Sequence, residues 1–383
     1  MDFELTEEQQ LLKDSVRKLM DDLATPEYIR EHDEQGTYPY EVYDAWVEMG
    51  LLGLPFPEEY GGSGGDVLDM VIMGEELGRK GYDFMGAYGL TVFNGLNILR
   101  SGSEAQKKEY IPKLINGDIR LSISMTEPDA GSDAGQMRTT AVRDGDEWVI
   151  NGQKVFSTAA DTKNNVINLY CKTDLDVPYQ EGVTLFVVPN DTPGVEINRL
   201  KTLGRRMLGT NEIFFKDVRI SDANRVSPVN GGWQCMLSGL MFERIVTVAG
   251  YAGHSQTVVD DALAYAKERK QFGKPIGNFQ AIAHMLADMQ TKVDASRMLM
   301  FRAAAKMAKG ENALREVSQA KLFGSETFVE VANQGMQILG GYSYMMDFDM
   351  QRHFRDARST TITAGTSQMQ RNLIANTMGL KVK

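Results

Sequence analysis

Apolar residues recur at helical spacing through most of residues 1–118. Thr6 precedes the first such segment, LTEEQQLLKDSVRKLMDDL, and Gln9 stands three residues later, which is the spacing of a capping box. PYEVYDAWVEMGLLGL predicts a second helix, DVLDMVIMGEELGRKG predicts a third that ends at Gly81, and SEAQKKEYIPKLINGD predicts a further helix that begins after Ser103. We therefore expect an N-terminal helical domain over residues 1–118.

The pattern changes between residues 119 and 230, where short apolar runs are separated by turn residues. GVTLFVVP predicts a short strand, and NEIFFKDVRI alternates apolar and charged residues as a half-buried strand does. DEWVINGQKVFSTAA predicts two short strands that meet at a type I′ hairpin turn on Asn151-Gly152. A small β-barrel or β-sandwich domain is therefore expected over residues 119–230.

Helical spacing returns near Trp233 and continues in three long segments. These segments cover residues 232–273, 278–310 and 316–341, with short links between them. Long antiparallel helices with short links form bundles, so we expect a C-terminal four-helix bundle over residues 231–383. The predicted fold class is α+β, with a β domain between two helical ones.

Composition and charge exclude several classes of function. Of the 383 residues, 42% are hydrophobic and 24% are charged, which is ordinary for a globular protein. The net charge of −11 disfavours binding to nucleic acid or to anionic membranes. The two cysteines form no CxxC motif or Cys/His cluster, so neither a disulfide scaffold nor a metal site is expected. The N-terminus lacks signal-peptide character and no membrane span is evident, so we expect a cytoplasmic protein without membrane insertion.

Three sequence stretches carry a resemblance to a known family. Residues 126–133, TEPDAGSD, closely resemble a signature of the acyl-CoA dehydrogenases. Residues 337–358 match a second signature in Gln337, in both glycines that follow Leu339 and in an Arg-Asp pair, but depart from it at Ser343, where the family usually has glycine. ERKQFGKPIGNFQ is a third match, and the similarity covers essentially the whole chain.

The resemblance implies FAD as the cofactor. It places Met125, Thr126, Phe156 and Thr158 beside the flavin ring, with Phe156 at a position where many members have Trp. It also implies a set of residues around the pyrophosphate and adenine end, namely Arg269, Gln271, Phe272, Gln280, Gln337, Gly341, Thr366 and Gln368. Because some of these come from a neighbouring subunit in the family, a homotetramer is implied as well.

The family reaction needs a base, and the usual position for it lacks one here. The reaction removes an α-proton from an acyl-CoA while the β-hydrogen leaves as hydride to the flavin. In most members the base is the Glu of a Glu-Gly-Thr sequence, which here is Ala364-Gly365-Thr366. Alanine takes no proton, although the resemblance implies that the Ala364 backbone N–H still donates to the thioester oxygen.

Glu243 is the predicted base. A subset of the family, which includes isovaleryl-CoA-type enzymes and crotonobetainyl-CoA reductases, carries its glutamate on the long helix immediately before an arginine, as Glu243-Arg244 does. Between Trp233 and Val259, Glu243 and Arg244 are the only Asp, Glu, Lys or Arg residues. A helix that is apolar all round is buried, and burial raises a carboxyl pKa toward the range that a general base needs. The alternative is a structural Glu-Arg pair, although neighbouring residues on a helix do not face each other.

The resemblance also indicates where the acyl-CoA binds. Ser132 is similar to a contact on the CoA side, and the pocket-wall candidates with Arg244 are Phe84, Tyr88, Thr91, Val92, Asn94, Leu96 and Leu240. The polar members of this set predict a polar or ring-bearing acyl group. Glu127 and Asp133 are expected to fix the flavin loop, Asp83 to be a solvated loop acid, His254 and His284 to lie in the core, and His353 to lie on the surface or at a subunit contact.

The expected function is therefore an FAD-dependent acyl-CoA dehydrogenase that passes electrons to electron-transfer flavoprotein. The length argues against an acyl-CoA oxidase, which is typically much longer. Three alternatives stay open: an enoyl-CoA reductase of the crotonobetainyl-CoA type, an acyl-CoA lyase such as a desulfinase, and a flavin- or CoA-binding protein without turnover.

Overall fold

The fold is known from a computed structural model that describes residues 4–382, apart from the side chain of Ser238. Residues 1–3 and 383, which the expected domains include, lie outside the described residues. The first part of the described chain is helical. Its helices are α1 (Glu7–Leu23), α2 (Pro26–Gln35), α3 (Tyr40–Glu48), α4 (Val67–Arg79), α5 (Tyr82–Ser101) and α6 (Glu104–Ile115).

Local capping explains where several of these helices begin. The Thr6 hydroxyl accepts a hydrogen bond from the Gln9 N–H, and the Gln9 side chain accepts one from the Thr6 N–H, so the predicted capping box is confirmed. Ser103 and Gln106 form the same arrangement at α6. Helices α2 and α5 were not predicted from the sequence. Nearly every residue of α5 from Tyr82 to Ile98 is buried, so it has no polar face to reveal its period.

The middle of the chain forms one curled sheet of seven strands within the described residues. The strands are β1 (Arg120–Ser124), β2 (Thr140–Asp144), β3 (Glu147–Thr158), β4 (Asn165–Lys172), β5 (Val183–Pro189), β6 (Val195–Leu200) and β7 (Thr210–Ser221). Their order is β1-β4-β2-β3-β7-β6, with β5 paired to β4. β1 runs parallel to β4, whereas β3 pairs antiparallel with both β2 and β7. This architecture confirms the predicted α+β fold class.

The predicted hairpin turn at Asn151-Gly152 is wrong. β3 continues through both residues, and the turn lies instead at Gly145 and Asp146, between the paired Asp144 and Glu147. Gly152 has φ 150°, and the pairing with β7 shifts register there, which is the behaviour of a β-bulge. The Asn-Gly pair bends a long strand instead of reversing the chain.

The last part of the described chain is helical again. Its helices are α7 (Gly232–Glu268), α8 (Gln280–Ala308), α9 (Leu314–Leu339), α10 (Met350–Ser359) and α11 (Ser367–Thr377), and the short strands β8 (Lys270–Gln271) and β9 (Lys274–Pro275) link α7 to α8. α7 packs against α8 and α9 and also against α4 and α5. α7 therefore joins the C-terminal bundle to the N-terminal helices.

Small residues bring α4 and α7 into backbone contact. A Cβ atom added at Gly78 would overlap the backbone of Gly250, and one added at Gly253 would overlap the Glu75 carbonyl oxygen. α7 is long and apolar enough to cross a membrane by length and composition alone, but 71% of its most apolar window is buried inside the protein. Contact with α4 therefore holds the middle of α7 in the core.

Candidate active site

Glu243 lies on α7 in surroundings that favour its protonated form. Its side chain keeps partial solvent access, while the dense protein around it desolvates the carboxylate and raises its pKa to about 6. The positive charges of Arg244 and Lys321 oppose this shift and lower the pKa. Within residues 4–382, no hydrogen bond or ion pair holds the Glu243 carboxylate.

Arg244 does not pair with its neighbour in the sequence. Its Nε donates a hydrogen bond to the Ala364 carbonyl oxygen at 3.2 Å, and the residue is only 8% exposed. The structural Glu243-Arg244 pair considered from the sequence is therefore not formed in the described structure. Arg244 instead fastens the loop before α11 to the helix that carries Glu243.

Lys321 on α9 holds the same loop from the other side. Its Nζ donates to the Gly365 carbonyl oxygen at 2.7 Å and to the Thr360 carbonyl oxygen at 3.1 Å. Burial is the main cause that lowers the pKa of Lys321 to about 8. Lys321 was not predicted as part of the site. A lysine inside the apolar and small-residue stretch AKLFGS indicates burial, but not which carbonyls it bonds.

The loop between α10 and α11 has a defined backbone shape. Ala364 has φ 53°, a left-handed conformation that non-glycine residues seldom adopt, and Gly365 follows with φ 87°. The Gln370 amide donates to the Gly365 carbonyl oxygen at 3.1 Å. The Thr366 hydroxyl caps α11 by accepting from the Met369 N–H at 3.2 Å. No described group accepts a hydrogen bond from the Ala364 N–H, so that donor is available to a ligand.

A second group of predicted residues lies at one rim of the sheet, where β1 and β3 meet. The Thr126 carbonyl oxygen accepts from the Val155 N–H at 2.9 Å, which brings Met125 and Thr126 beside Phe156. Phe156 is 64% exposed and has φ 62°. Thr158 ends the same strand.

A buried ion pair fixes this rim. The Lys154 Nζ donates to the Met125 carbonyl oxygen at 3.1 Å and to the Glu127 carboxylate at 2.8 Å. Glu127 also accepts from the backbone N–H groups of Arg138 and Thr139. Glu127 therefore anchors this loop, and Lys154 is an additional anchor that the sequence did not reveal. The Asp133 carboxylate accepts a hydrogen bond only from the nearby Gln136 side chain among the described residues. That the loop contacts a flavin stays a prediction.

Most of the remaining cofactor candidates lie on exposed surface around the α7–α8 link and the end of α9, while Gln368 lies at the start of α11. Phe272 is 94% exposed with φ 50°, and it lies near Phe279. The Arg269 guanidinium stands over the Tyr342 ring, 5.5 Å from its centroid. This contact joins the link to the segment after Gln337. Gln271, Gln280, Gln337, Gly341 and Gln368 are all exposed.

These two surfaces have the chemistry that FAD requires. The hydroxyls of Thr126 and Thr158 make no hydrogen bond within the described residues, so they are available to the polar edge of a flavin. The exposed ring of Phe156 offers apolar area for the ring system, and the guanidinium of Arg269 offers charge for a diphosphate. A Cβ atom added at Gly341 would meet nothing within 4 Å, so a ligand can approach this backbone closely.

The predicted acyl-pocket residues differ in what they offer a ligand. The Tyr88 hydroxyl donates to the Leu51 carbonyl oxygen at 2.8 Å, and the Thr91 hydroxyl accepts from the Tyr43 hydroxyl at 3.3 Å. The polar atoms of Tyr88 and Thr91 are therefore already bonded inside the protein. The apolar candidates Phe84, Val92 and Leu96 are buried, Leu240 is half-buried, and Ser132 is exposed.

Three sequence expectations about ionisable residues are wrong. Asp83 is not a solvated loop acid, because it lies in α5, is 6% exposed and pairs with Arg205 at 3.2 Å. His353 is not a surface residue, because it is buried between His254, at 2.6 Å, and Asp261, at 3.1 Å. His254 is fully buried, as predicted. His284 is exposed, so its predicted core position is wrong.

The comparisons with protein-family models cover nearly the whole chain. The model of the acyl-CoA dehydrogenase N-terminal domain matches residues 6–118, that of the middle domain matches residues 122–218, and that of the C-terminal domain matches residues 230–379.

Individual proteins are similar over nearly their whole length. The chain is 38% identical to the caffeyl-CoA reductase-Etf complex subunit CarC of Acetobacterium woodii, over 94% of this chain and 96% of the relative. It is 36% identical to a 3-(aryl)acrylate reductase of Clostridium sporogenes, over 95% of this chain and 97% of the relative. The solved structure of a glutaryl-coenzyme A dehydrogenase in complex with glutaryl-CoA matches with a TM-score of 0.95 and 33% identity, over 100% of this chain and 98% of that one.

Proposed function

Because this chain belongs to the acyl-CoA dehydrogenase family, an FAD-dependent family of oxidoreductases, we propose that it interconverts an acyl-CoA and its α,β-unsaturated thioester with Glu243 as the base. One observation carries the proposal. Glu243 is an unpaired carboxylate on a core helix, with a pKa raised to about 6 and with partial access to solvent. Its neighbours hold the loop on which most members of the family carry the base.

A carboxylate with this pKa suits the removal of an α-proton. The α-C–H of a thioester is a weak acid, and a base is more effective when its pKa lies close to the operating pH. At neutral pH Glu243 is mostly ionised, yet it is more basic than a glutamate in water. We propose that its carboxylate takes the α-proton during dehydrogenation and returns it during reduction.

The loop around Ala364 supplies the second requirement, stabilisation of negative charge on the thioester oxygen. The Ala364 N–H is free of any partner in the described chain, and its direction is fixed by the bonds from Arg244 to the Ala364 carbonyl and from Lys321 to the Gly365 carbonyl. A donor held in place before reaction costs no reorganisation when charge develops. We assign the Ala364 N–H to the thioester oxygen.

The FAD would be held by the two surfaces described above. When bound, the flavin supplies the acceptor for the β-hydrogen. Thr126, Thr158 and Phe156 would bind and orient its ring, while Arg269 would neutralise the diphosphate. The rest of the assigned set is Met125, Gln271, Phe272, Gln280, Gln337, Gly341, Thr366 and Gln368.

We propose that the cofactor site is completed in a homotetramer. The side chain of Phe272 is 94% exposed, and that of Tyr344, beyond Gly341, is 85% exposed. Exposed aromatic side chains of this size are common where a partner binds. A partner subunit that lies against this surface would bring the two halves of the cofactor site together.

The names of the relatives support a proposal for the electron partner and the reaction direction. The A. woodii relative is named as a subunit of an Etf complex, which supports electron-transfer flavoprotein as the electron partner of this chain. Two relatives are named as reductases and the structural neighbour as a dehydrogenase, so the reductase direction is the second candidate function. We place the enzyme in the cytoplasm, where CoA thioesters are available.

Anaerobic titration of the FAD-loaded protein tests the proposal. Saturated acyl-CoAs should bleach the oxidised flavin band, and enoyl-CoAs should restore it after chemical reduction. Glu243→Gln should keep FAD and lose both reactions, whereas the exposed control Glu311→Gln should behave as the parent. A protein that takes up no FAD, or that is bleached by no thioester, would contradict the function. A Glu243→Gln variant that reacts as fast as the parent would exclude Glu243 as the base.

A further inference from the structure

Buried polar atoms without partners are concentrated between α5 and β4. The side-chain oxygens of Asn94, Asn97 and Asn168 and the hydroxyl of Tyr170 are all buried, and none has a hydrogen-bond partner in the described structure. Each such atom costs about 1–3 kcal/mol when nothing satisfies it. We refer to these four residues as the polar cluster.

The cluster is held together by local geometry. Asn168 and Tyr170 are two residues apart in β4, so their side chains lie on the same face of the sheet. The Asn168 amide donates to the Asn94 carbonyl oxygen at 3.2 Å, and the Asn94 amide donates to the Leu90 carbonyl oxygen at 2.8 Å. These bonds fix both side-chain amides through their NH2 groups, and the two side-chain oxygens remain unpaired. Asn97 lies one turn beyond Asn94 on α5.

The cluster borders the face of α7 that carries Glu243. Cys235, Gly239 and Glu243 are spaced by four residues, so they form one line along the helix. A Cβ atom added at Gly239 would overlap the Asn97 side-chain oxygen, which places Asn97 against this line. Burial raises the pKa of Tyr170, and the charges of Cys235 and Glu243 raise it further, so the phenol also lies near this line.

We propose that the polar cluster binds a neutral hydroxyl group on the acyl part of the substrate, beyond the β-carbon. The inference rests on the proposed function, because it assigns this cluster to the acyl-binding side of Glu243. The amide oxygens of the cluster accept hydrogen bonds, and the Tyr170 hydroxyl both donates and accepts. A substrate hydroxyl satisfies both kinds of group, whereas a plain alkyl chain leaves them buried and unpaired.

A neutral hydroxyl suits the cluster better than a carboxylate does. Three of its four unpaired groups are amide oxygens, which accept hydrogen bonds and repel a carboxylate. The first cation on α5 after the cluster, Arg100, lies one turn beyond Asn97 and stands over the Phe242 ring, 5.9 Å from its centroid. The polar groups of Tyr88 and Thr91 are bonded internally, so they do not compete for the substrate hydroxyl.

Matched pairs of CoA thioesters test the inference. The pairs are 3-phenylpropanoyl-CoA with its 3- and 4-hydroxyphenyl analogues, and pentanoyl- and hexanoyl-CoA with their ω-hydroxy analogues. In at least one pair, the hydroxylated thioester should bind the protein at least tenfold more tightly and reduce the flavin at least tenfold faster than its partner. This ratio is expected because sites built to bond a hydroxyl discriminate strongly against its loss. Tyr170→Phe should lower that ratio at least fivefold. Tyr60→Phe, which removes a hydroxyl bonded to Glu104 and lies outside the assigned pocket, should leave the ratio unchanged.

The outcomes separate this inference from the proposed function. Loss of flavin bleaching by every thioester counts against the function, while calorimetric binding of the same pairs still measures the hydroxyl preference. Equal affinity within every pair would overturn the inference and would mean that water alone satisfies the cluster. Should Tyr170→Phe lose FAD or unfold early, Asn97→Leu serves in its place. A ratio that neither folded variant changes would also overturn the inference.

Discussion

Arg244 Nε donates a hydrogen bond to the Ala364 carbonyl oxygen at 3.2 Å, although 120 residues separate the two in the sequence. This one bond joins the helix that carries the proposed base to the loop that carries the proposed oxyanion donor. The same guanidinium also lowers the pKa of Glu243. Arg244 therefore links the position of one catalytic group to the basicity of the other.

Removal of the Arg244 charge should shift the pH dependence of flavin reduction. In the parent, the rate should rise through pH about 6 as Glu243 ionises. In Arg244→Gln the midpoint should move to higher pH, because the charge that lowers the Glu243 pKa is gone, and the rate at neutral pH should fall. Anaerobic stopped-flow traces from pH 5 to pH 9 measure both effects. Arg143→Gln, on the exposed part of β2, is the control, and an unmoved midpoint in Arg244→Gln would contradict the coupling.

Glu243 should reduce the stability of the protein above its pKa. Its folded-state pKa of about 6 exceeds the ordinary value of 4.5, so folding favours the protonated form and stability falls as the pH rises through 6. At pH 8 the free energy of unfolding of Glu243→Gln should therefore exceed that of the parent by up to about 2 kcal/mol. The gain should shrink as the pH falls and vanish below about pH 4.5.

Urea unfolding of the FAD-loaded variants across this pH range measures the difference. Glu311→Gln changes an exposed glutamate near the end of α8, so it should show no such pH-dependent gain. A Glu243→Gln variant that is less stable than the parent at pH 8 would mean that an unrecognised partner holds the carboxylate.

Lys321→Met should release the loop before α11 while it keeps the volume of the side chain. The variant loses the bonds to the Gly365 and Thr360 carbonyl oxygens. The Gly365 oxygen keeps its bond from the Gln370 amide, whereas the buried Thr360 oxygen loses its donor. We expect a loss of about 1–3 kcal/mol in unfolding free energy and faster amide exchange at Ser367, whose N–H donates to the Thr361 carbonyl oxygen across the loop. Lys309→Met, at an exposed position, should change neither quantity, and normal exchange at Ser367 in Lys321→Met would refute this role.

Gly152→Ala should destabilise the sheet. Gly152 has φ 150°, and an added Cβ atom would lie 2.5 Å from the Thr139 hydroxyl oxygen. We expect a loss of about 2–4 kcal/mol, from strain and overpacking together. Gly145→Asn, in the true hairpin turn, should cost much less, because asparagine tolerates φ 65° and the space there is open. Thermal melting of both variants decides between a bulge and a turn at Asn151-Gly152.

The outcomes at Thr6, Gly152 and Lys321 indicate what the sequence can reveal. The capping box of Thr6 was predictable because its bonds close within three residues. The prediction at Gly152 was wrong because glycine with a positive φ occurs in β-bulges as well as in turns. Whether a bulge or a turn forms depends on pairing with the distant strand β7. The bonds of Lys321 span 39 and 44 residues, so no local pattern indicates them.

For the site, the sequence singled out Glu243 as the candidate base because a lone acid in an apolar helix is visible without any structure. It picked out Asn94 as a pocket-wall candidate but not the rest of the polar cluster, because the asparagines at 97 and 168 are ordinary until their burial and missing partners are known. The same limit applies to His353, whose burial depends on α7 and not on its polar neighbours in the sequence.

Phe156→Gly should weaken FAD binding without loss of stability in the cofactor-free protein. The ring is 64% exposed, so it contributes little to the core, and φ 62° strains any residue except glycine. Relief of that strain should offset the greater backbone entropy of glycine in the unfolded chain. If the ring packs on the flavin, its loss should raise the Kd for FAD at least tenfold. Fluorescence titration of the apoprotein measures the Kd, Phe156→Trp should keep it near the parent value, and equal Kd values for Phe156→Gly and the parent would remove Phe156 from the cofactor site.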